Sequence, residues 1–74
     1  MSFGTRMRKI RHENGYTQTD IFELTGIPQT NISLWERDKG SPNVLELPML
    51  AKALNCSIND LIGEEDENEQ ITNC

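Results

Sequence analysis

A chain of 74 residues with 35% hydrophobic side chains and only two cysteines, Cys56 and Cys74, has room for one small domain. It excludes a disulfide framework and points to a reducing, cytoplasmic setting. No apolar run approaches the ~18 residues of a membrane span, and the opening MSFGTRMRKI lacks the apolar stretch of an export signal. The formal charge of −5, from seven Lys and Arg against twelve Asp and Glu, runs against the basic balance of most nucleic-acid binders.

That charge is unevenly spread. Residues 1–62 carry seven basic and seven acidic side chains, and the other five acids fall between Glu64 and Glu69. Arg6, Arg8, Lys9 and Arg11 precede the first acid. The sequence thus predicts a neutral domain with a basic end and an acidic extension.

Five helices can be read in chain order, with no strand alternation. Phe3, Met7 and Ile10 recur at i, i+4 and i+7, one face of a first helix. Gly15 ends it, in the position where a left-handed residue is favoured. Thr17, with Asp20 three residues on, predicts an N-cap close to a capping box for a short second helix. Ile21 and Leu24 are expected to face inward from it, and Gly26 to stop it. A third helix opens near Pro28, since a first helical turn needs no N–H there. It places Ile32 and Trp35 on the core and is expected to end near Asp38.

Lys39-Gly40-Ser41-Pro42 is loop by composition. Asn43, with Glu46, caps a fourth helix whose stripe is Leu47, Leu50, Ala51 and Leu54. Pro48 leaves its start open. Either the first turn is kinked, or the regular helix begins later with Pro48 near its first position. Ser57 and Asp60 repeat the cap pattern ahead of a fifth helix carrying Ile58, Leu61 and Ile62, which Gly63 ends. Residues 1–62 are expected to form one domain. Residues 63–74 are expected to be a disordered acidic tail, dense in like charge and without an apolar stripe.

Catalytic chemistry has no foothold here. There is no Gly-rich phosphate loop, no nucleophile–base pair and no His/Cys/Asp/Glu cluster with metal-ligand spacing, so neither an enzyme, a metal, a cofactor nor a small-molecule ligand is expected. His12, the single histidine, reads as a solvated surface residue and Cys56 as a small buried hydrophobe. Cys74 reads as an accessible thiol on the tail.

The two short helices joined around Gly26, with Gln18 before it and Ile32 and Trp35 after it, have the layout of a helix-turn-helix. In that motif the later apolar residues seat the second helix on the core, so that its other face projects into a major groove. The run TQTDIFELTGIPQTNISLWERDKGSPN, followed by LAKALNCSINDLI, resembles the Cro/repressor-type helix-turn-helix family, also called the XRE family. The resemblance covers about residues 3–62. It implies an all-α, five-helix, lambda-repressor-like DNA-binding domain.

It also implies roles. Gln18 falls where the family anchors the second helix to a backbone phosphate. Gln29, Thr30 and Leu34 fall on groove-facing positions, suited in turn to adenine, to a base edge or methyl, and to a thymine methyl. Asn31 and Ser33 lie beside them as further base or phosphate contacts. Arg37, Lys39 and Asn43 fall in the phosphate-contact zone, and Arg11 and Glu36 where a salt bridge joins the first and third helices. Three positions depart from the family pattern. Phe22 stands for an alanine where the two motif helices cross closely, so a phenyl ring there needs extra room or a changed angle. Asp38 stands for a glycine in a left-handed cap, and Pro28 for a Ser/Thr cap.

The function implied is a sequence-specific transcriptional regulator, expected to be a repressor of prokaryotic, phage or mobile-element type. One such module buries too little surface for tight operator binding. A homodimer on palindromic double-stranded DNA is therefore expected, with Ile58, Leu61 and Ile62 as its interface. The alternative is a protein-interaction module on the same fold, an antirepressor or antitoxin component with a protein partner.

Overall fold

The computed structural model describes residues 1–63, so all of the expected acidic tail beyond Gly63, with Cys74, lies outside the described residues; Gly63 itself is buried and caps α5. Within these, five helices and no strand are found: α1 (Phe3–Glu13), α2 (Gln18–Thr25), α3 (Gln29–Glu36), α4 (Glu46–Ala53) and α5 (Ile58–Ile62). No helix among them is long and apolar enough to cross a membrane.

Local chemistry sets the boundaries. Thr17 and Ser57 each accept the N–H of the third helical residue, Asp20 and Asp60, whose carboxylates accept the cap residue's own N–H in return. These two closed capping boxes satisfy donors that a helix start otherwise leaves open. Gly26 takes φ 79° and turns the chain between α2 and α3, donating its N–H to the Phe22 carbonyl at 2.7 Å. Helix α3 ends at Glu36, short of Asp38. Asp38 takes φ 60° and forms the turn beyond.

Pro48 is accommodated by a two-stage start. Asn43 Oδ1 accepts the N–H groups of Leu45 and Glu46 at 2.9 and 2.8 Å, and Glu46 Oε1 accepts the Asn43 N–H at 3.0 Å. The α-helix proper begins at Glu46. Pro48 therefore sits in its first turn, where a missing N–H does least harm.

Met7, Ile21, Ile27, Ile32, Trp35, Leu50, Ala51, Leu54 and Leu61 form one buried core, flanked by half-buried Phe3, Ile10, Tyr16, Leu47 and Cys56. Helix α1 packs on α3 and α5, α2 on α3 and α4, and α4 on α5. The α1–α3 crossing is close enough to require glycine. A Cβ on Gly4 would stand 2.5 Å from the Trp35 carbonyl oxygen and 2.6 Å from that of Glu36.

One inward assignment changes, and the departure at Phe22 is accommodated at the surface. Leu24 is 56% exposed, and the inward position one residue on belongs to Thr25. Its hydroxyl donates to the Ile21 carbonyl at 2.7 Å and accepts the Ile27 N–H at 3.1 Å, so a polar side chain satisfies itself against the core. Phe22 is 44% exposed. The ring is thus not enclosed by the packing of α2 on α3.

Candidate nucleic-acid interface

The site starts from a buried ion pair. Arg11, in the last turn of α1, reaches Glu36 at the end of α3 through two bonds, Nε to Oε2 at 2.6 Å and an amino nitrogen to Oε1 at 3.1 Å. Its other amino group donates to the Tyr16 carbonyl at 2.8 Å. Both partners are under a tenth exposed. A bidentate guanidinium–carboxylate pair with a third bond fixes orientation as well as distance. The structure thus brings Arg11 and Glu36 together as expected, linking α1, α3 and the chain entering α2.

The pair continues outward as a chain of amides. Gln18 Nε2 donates to Glu36 Oε1 at 3.0 Å, which leaves Gln18 Oε1 facing outward. Gln29 Nε2 donates to it at 3.5 Å, and Thr19 Oγ1 donates to Gln29 Oε1 at 3.3 Å. An amide has two N–H bonds and two oxygen lone pairs. Gln29, at the first residue of α3, therefore keeps one N–H and one lone pair for an outside partner. Donor and acceptor side by side match the bidentate edge of adenine in the major groove.

Gln18, Gln29, Thr30, Ser33 and Arg37 line one shallow, open concavity of about 350 Å³. Five residues expected in DNA contact thus share one face. Gln29, Thr30 and Arg37 are exposed, and Asn31, Ser33 and Leu34 half-buried. Asn31 and Leu34 lie outside this hollow. Arg37 Nε donates to the Ser33 carbonyl at 3.3 Å. Lys39 is exposed on the loop after α3. Asn43 is also exposed, but its side-chain oxygen and its backbone N–H are taken up in the capping of α4, leaving the Nδ2 group for any phosphate.

Of the three residues expected at a dimer interface, Leu61 is wholly buried in the monomer's own core. Ile58 and Ile62, each 37% exposed, present surface. Val44 and Leu45, at 83% and 77% exposed, are an apolar pair that the sequence reading passed over as part of a helix start. Also missed was the partnership of Asp38. Its carboxylate accepts the Ser2 hydroxyl at 2.7 Å and the Gly4 N–H at 2.9 Å. Those bonds, Ser2 first, hold the Asp38 carboxyl below the ordinary aspartate range. The only local signal was a serine directly ahead of α1. Among the described residues, no group of three or more His, Cys, Asp or Glu is placed to hold a metal ion.

Comparison with known proteins agrees with this geometry. A helix-turn-helix family model matches residues 7–61. The chain is 33% identical over 70 residues to the HTH-type transcriptional regulator ImmR of Bacillus subtilis (strain 168), covering 95% of this chain and 55% of that protein. It spans about half or less of the first curated relatives it matches. Among solved structures, the P22 c2 repressor in complex with a synthetic operator superposes with a TM-score of 0.79 at 34% identity, covering 84% of this chain and 94% of that one. The restriction-modification controller protein C.AhdI from Aeromonas hydrophila gives 0.76 at 27% identity, covering 81% and 91%. The fold is that of the repressor-type domains, and the chain belongs to the Cro/repressor-type helix-turn-helix family.

Proposed function

We propose that this protein is a sequence-specific DNA-binding regulator of transcription, a repressor of prokaryotic, phage or mobile-element type acting in the cytoplasm. Helix α3 enters the major groove, Gln29, Thr30 and Leu34 read bases with Asn31 and Ser33 beside them, and Gln18, Arg37, Lys39 and Asn43 hold phosphates. The observation that carries this reading is the Glu36–Gln18–Gln29 chain, which ends on an amide with one donor and one acceptor to spare. The names of its relatives, transcriptional regulators and an immunity repressor among them, support it.

A homodimer on a palindromic operator supplies the area that a single module lacks, and Ile58 and Ile62 are the exposed part of its candidate interface. Gel-shift titration and footprinting on the DNA flanking the gene test the reading. A protected inverted repeat is expected. Gln29→Ala should relax base choice, and Lys39→Ala should weaken all duplexes alike.

The acidic balance favours a second reading, a protein-interaction module on the same fold. No retardation of any duplex at low salt, together with a tight protein partner in a pull-down, would decide for it.

A further inference from the structure

Asp38 holds a left-handed backbone conformation, φ 60°, which glycine adopts readily and few other residues do. It sits between Arg37 and Lys39, the two cations assigned to phosphates. A carboxylate there would repel DNA if it faced outward. Instead both of its oxygens are occupied: Oδ1 accepts the Gly4 N–H at 2.9 Å and Oδ2 the Ser2 hydroxyl at 2.7 Å. The side chain therefore caps the start of α1, whose positive dipole end favours an anion. The backbone beside it is tied as well, Asp38 N–H to the Trp35 carbonyl at 3.1 Å and Lys39 N–H to that of Leu34 at 2.8 Å.

From this geometry we infer that Asp38 is a positioning residue for DNA binding: latched to Ser2 and Gly4, it fixes the directions in which Arg37 and Lys39 leave the loop and turns its own charge away from the phosphates. The N-terminal turn thereby becomes part of the phosphate-binding platform without touching DNA. The inference rests on the proposed DNA-binding function.

The test compares Asp38→Asn with Asp38→Gly, two variants of equal charge that both tolerate the left-handed backbone. Asparagine can still accept from Gly4 and pair with Ser2, whereas glycine removes the latch. Each variant, with its native N-terminus and its fold checked by circular dichroism, is titrated by fluorescence anisotropy against a labelled mixed-sequence duplex over a range of salt. Asp38→Gly is expected to bind about fivefold more weakly than Asp38→Asn, with a salt slope shallower by about one. Ser2→Ala, which removes one of the two latch bonds together with the Thr5 N–H cap bond that Ser2 accepts at 3.2 Å, and no charge, should fall between wild type and Asp38→Gly. Equal affinity and slope for the two Asp38 variants overturns the inference. Lys39→Ala run alongside separates the failures. If it lowers the slope while the Asp38 variants match, only the latch is wrong. If it changes nothing, or the wild type binds no duplex, the phosphate assignment falls and takes the latch with it.

Discussion

Gln18 donates its side-chain N–H to Glu36 at 3.0 Å, and that bond decides which end of the Gln18 amide meets Gln29. Glu36 is 8% exposed and acts only as an acceptor. Gln18→Glu would set a second carboxylate against it. A loss on the order of 2 kcal/mol is expected, with Gln18→Ala losing about 1 kcal/mol. Urea melts of the two variants measure the difference, and equal losses would mean the bond does not orient the amide.

Arg11 and Glu36 form the buried pair from which that chain starts. Removing one member leaves an uncompensated charge in the interior, so Arg11→Met and Glu36→Leu singly should each cost about 3–5 kcal/mol. The double variant should recover much of the loss, because neither charge then remains buried. Chemical denaturation of the single and double variants gives the coupling energy. Purely additive losses would show the pair to be energetically independent.

Gly4→Ala is expected to destabilise by about 2–3 kcal/mol through overpacking, since the new methyl would meet two backbone carbonyls. Backbone gives way less readily than a flexible side chain. A thermal melt unchanged from wild type would mean that α1 can slide on α3.

Asp38 ties stability to pH. Its carboxyl lies below the ordinary aspartate range because it accepts from Ser2 and then from Gly4. A group depressed in the native state binds fewer protons there than in the unfolded chain. Its contribution is therefore complete above the unfolded value and is lost as pH falls through the native one. The wild-type melting temperature should drop from about pH 5 downward, and Asp38→Asn should drop less steeply over the same range. Parallel curves would exclude a contribution from Asp38.

Cys56 should react slowly. Partial burial, and secondarily the charge of Asp60, push its thiol above the ordinary value, which lowers the thiolate fraction at neutral pH. In a Cys74→Ser background, alkylation by iodoacetamide should be slower than that of free cysteine and should accelerate in urea. A rate equal to free cysteine in the native state would contradict this.

The elements that announced themselves in the sequence are those fixed by local chemistry. Thr17 with Asp20, Ser57 with Asp60 and Gly26 mark helix ends because each makes its bonds within a few residues. The apolar stripe of α4 was legible through its helical period, Leu47, Leu50, Ala51 and Leu54 recurring every three to four residues. Leu24 was not, because apolar spacing favours the leucine at i+3 from Ile21 over the threonine at i+4, whereas packing covers Thr25, whose hydroxyl is bonded within its own turn, and leaves Leu24 exposed. The bonds from Asp38 to Ser2 and Gly4 join segments 36 and 34 residues apart, and no periodicity reports such a contact. Of the candidate interface, the residue positions are expectations that come from the family resemblance alone. The amide chain that reaches Gln29 leaves no trace in the sequence, since it depends on which end of each amide faces which neighbour.

The Gly4 contact has a bearing on how such a protein can change. Helix α3 is joined to α1 along the side that carries Trp35 and Glu36, whereas Gln29, Thr30 and Ser33 occupy the side open to solvent. Apart from the amide of Gln29, substitutions on the open side leave the joint untouched. Surface side chains of α3 can therefore be exchanged while the helix that bears them stays seated, so whatever that face contacts and the stability of the fold are free to evolve separately.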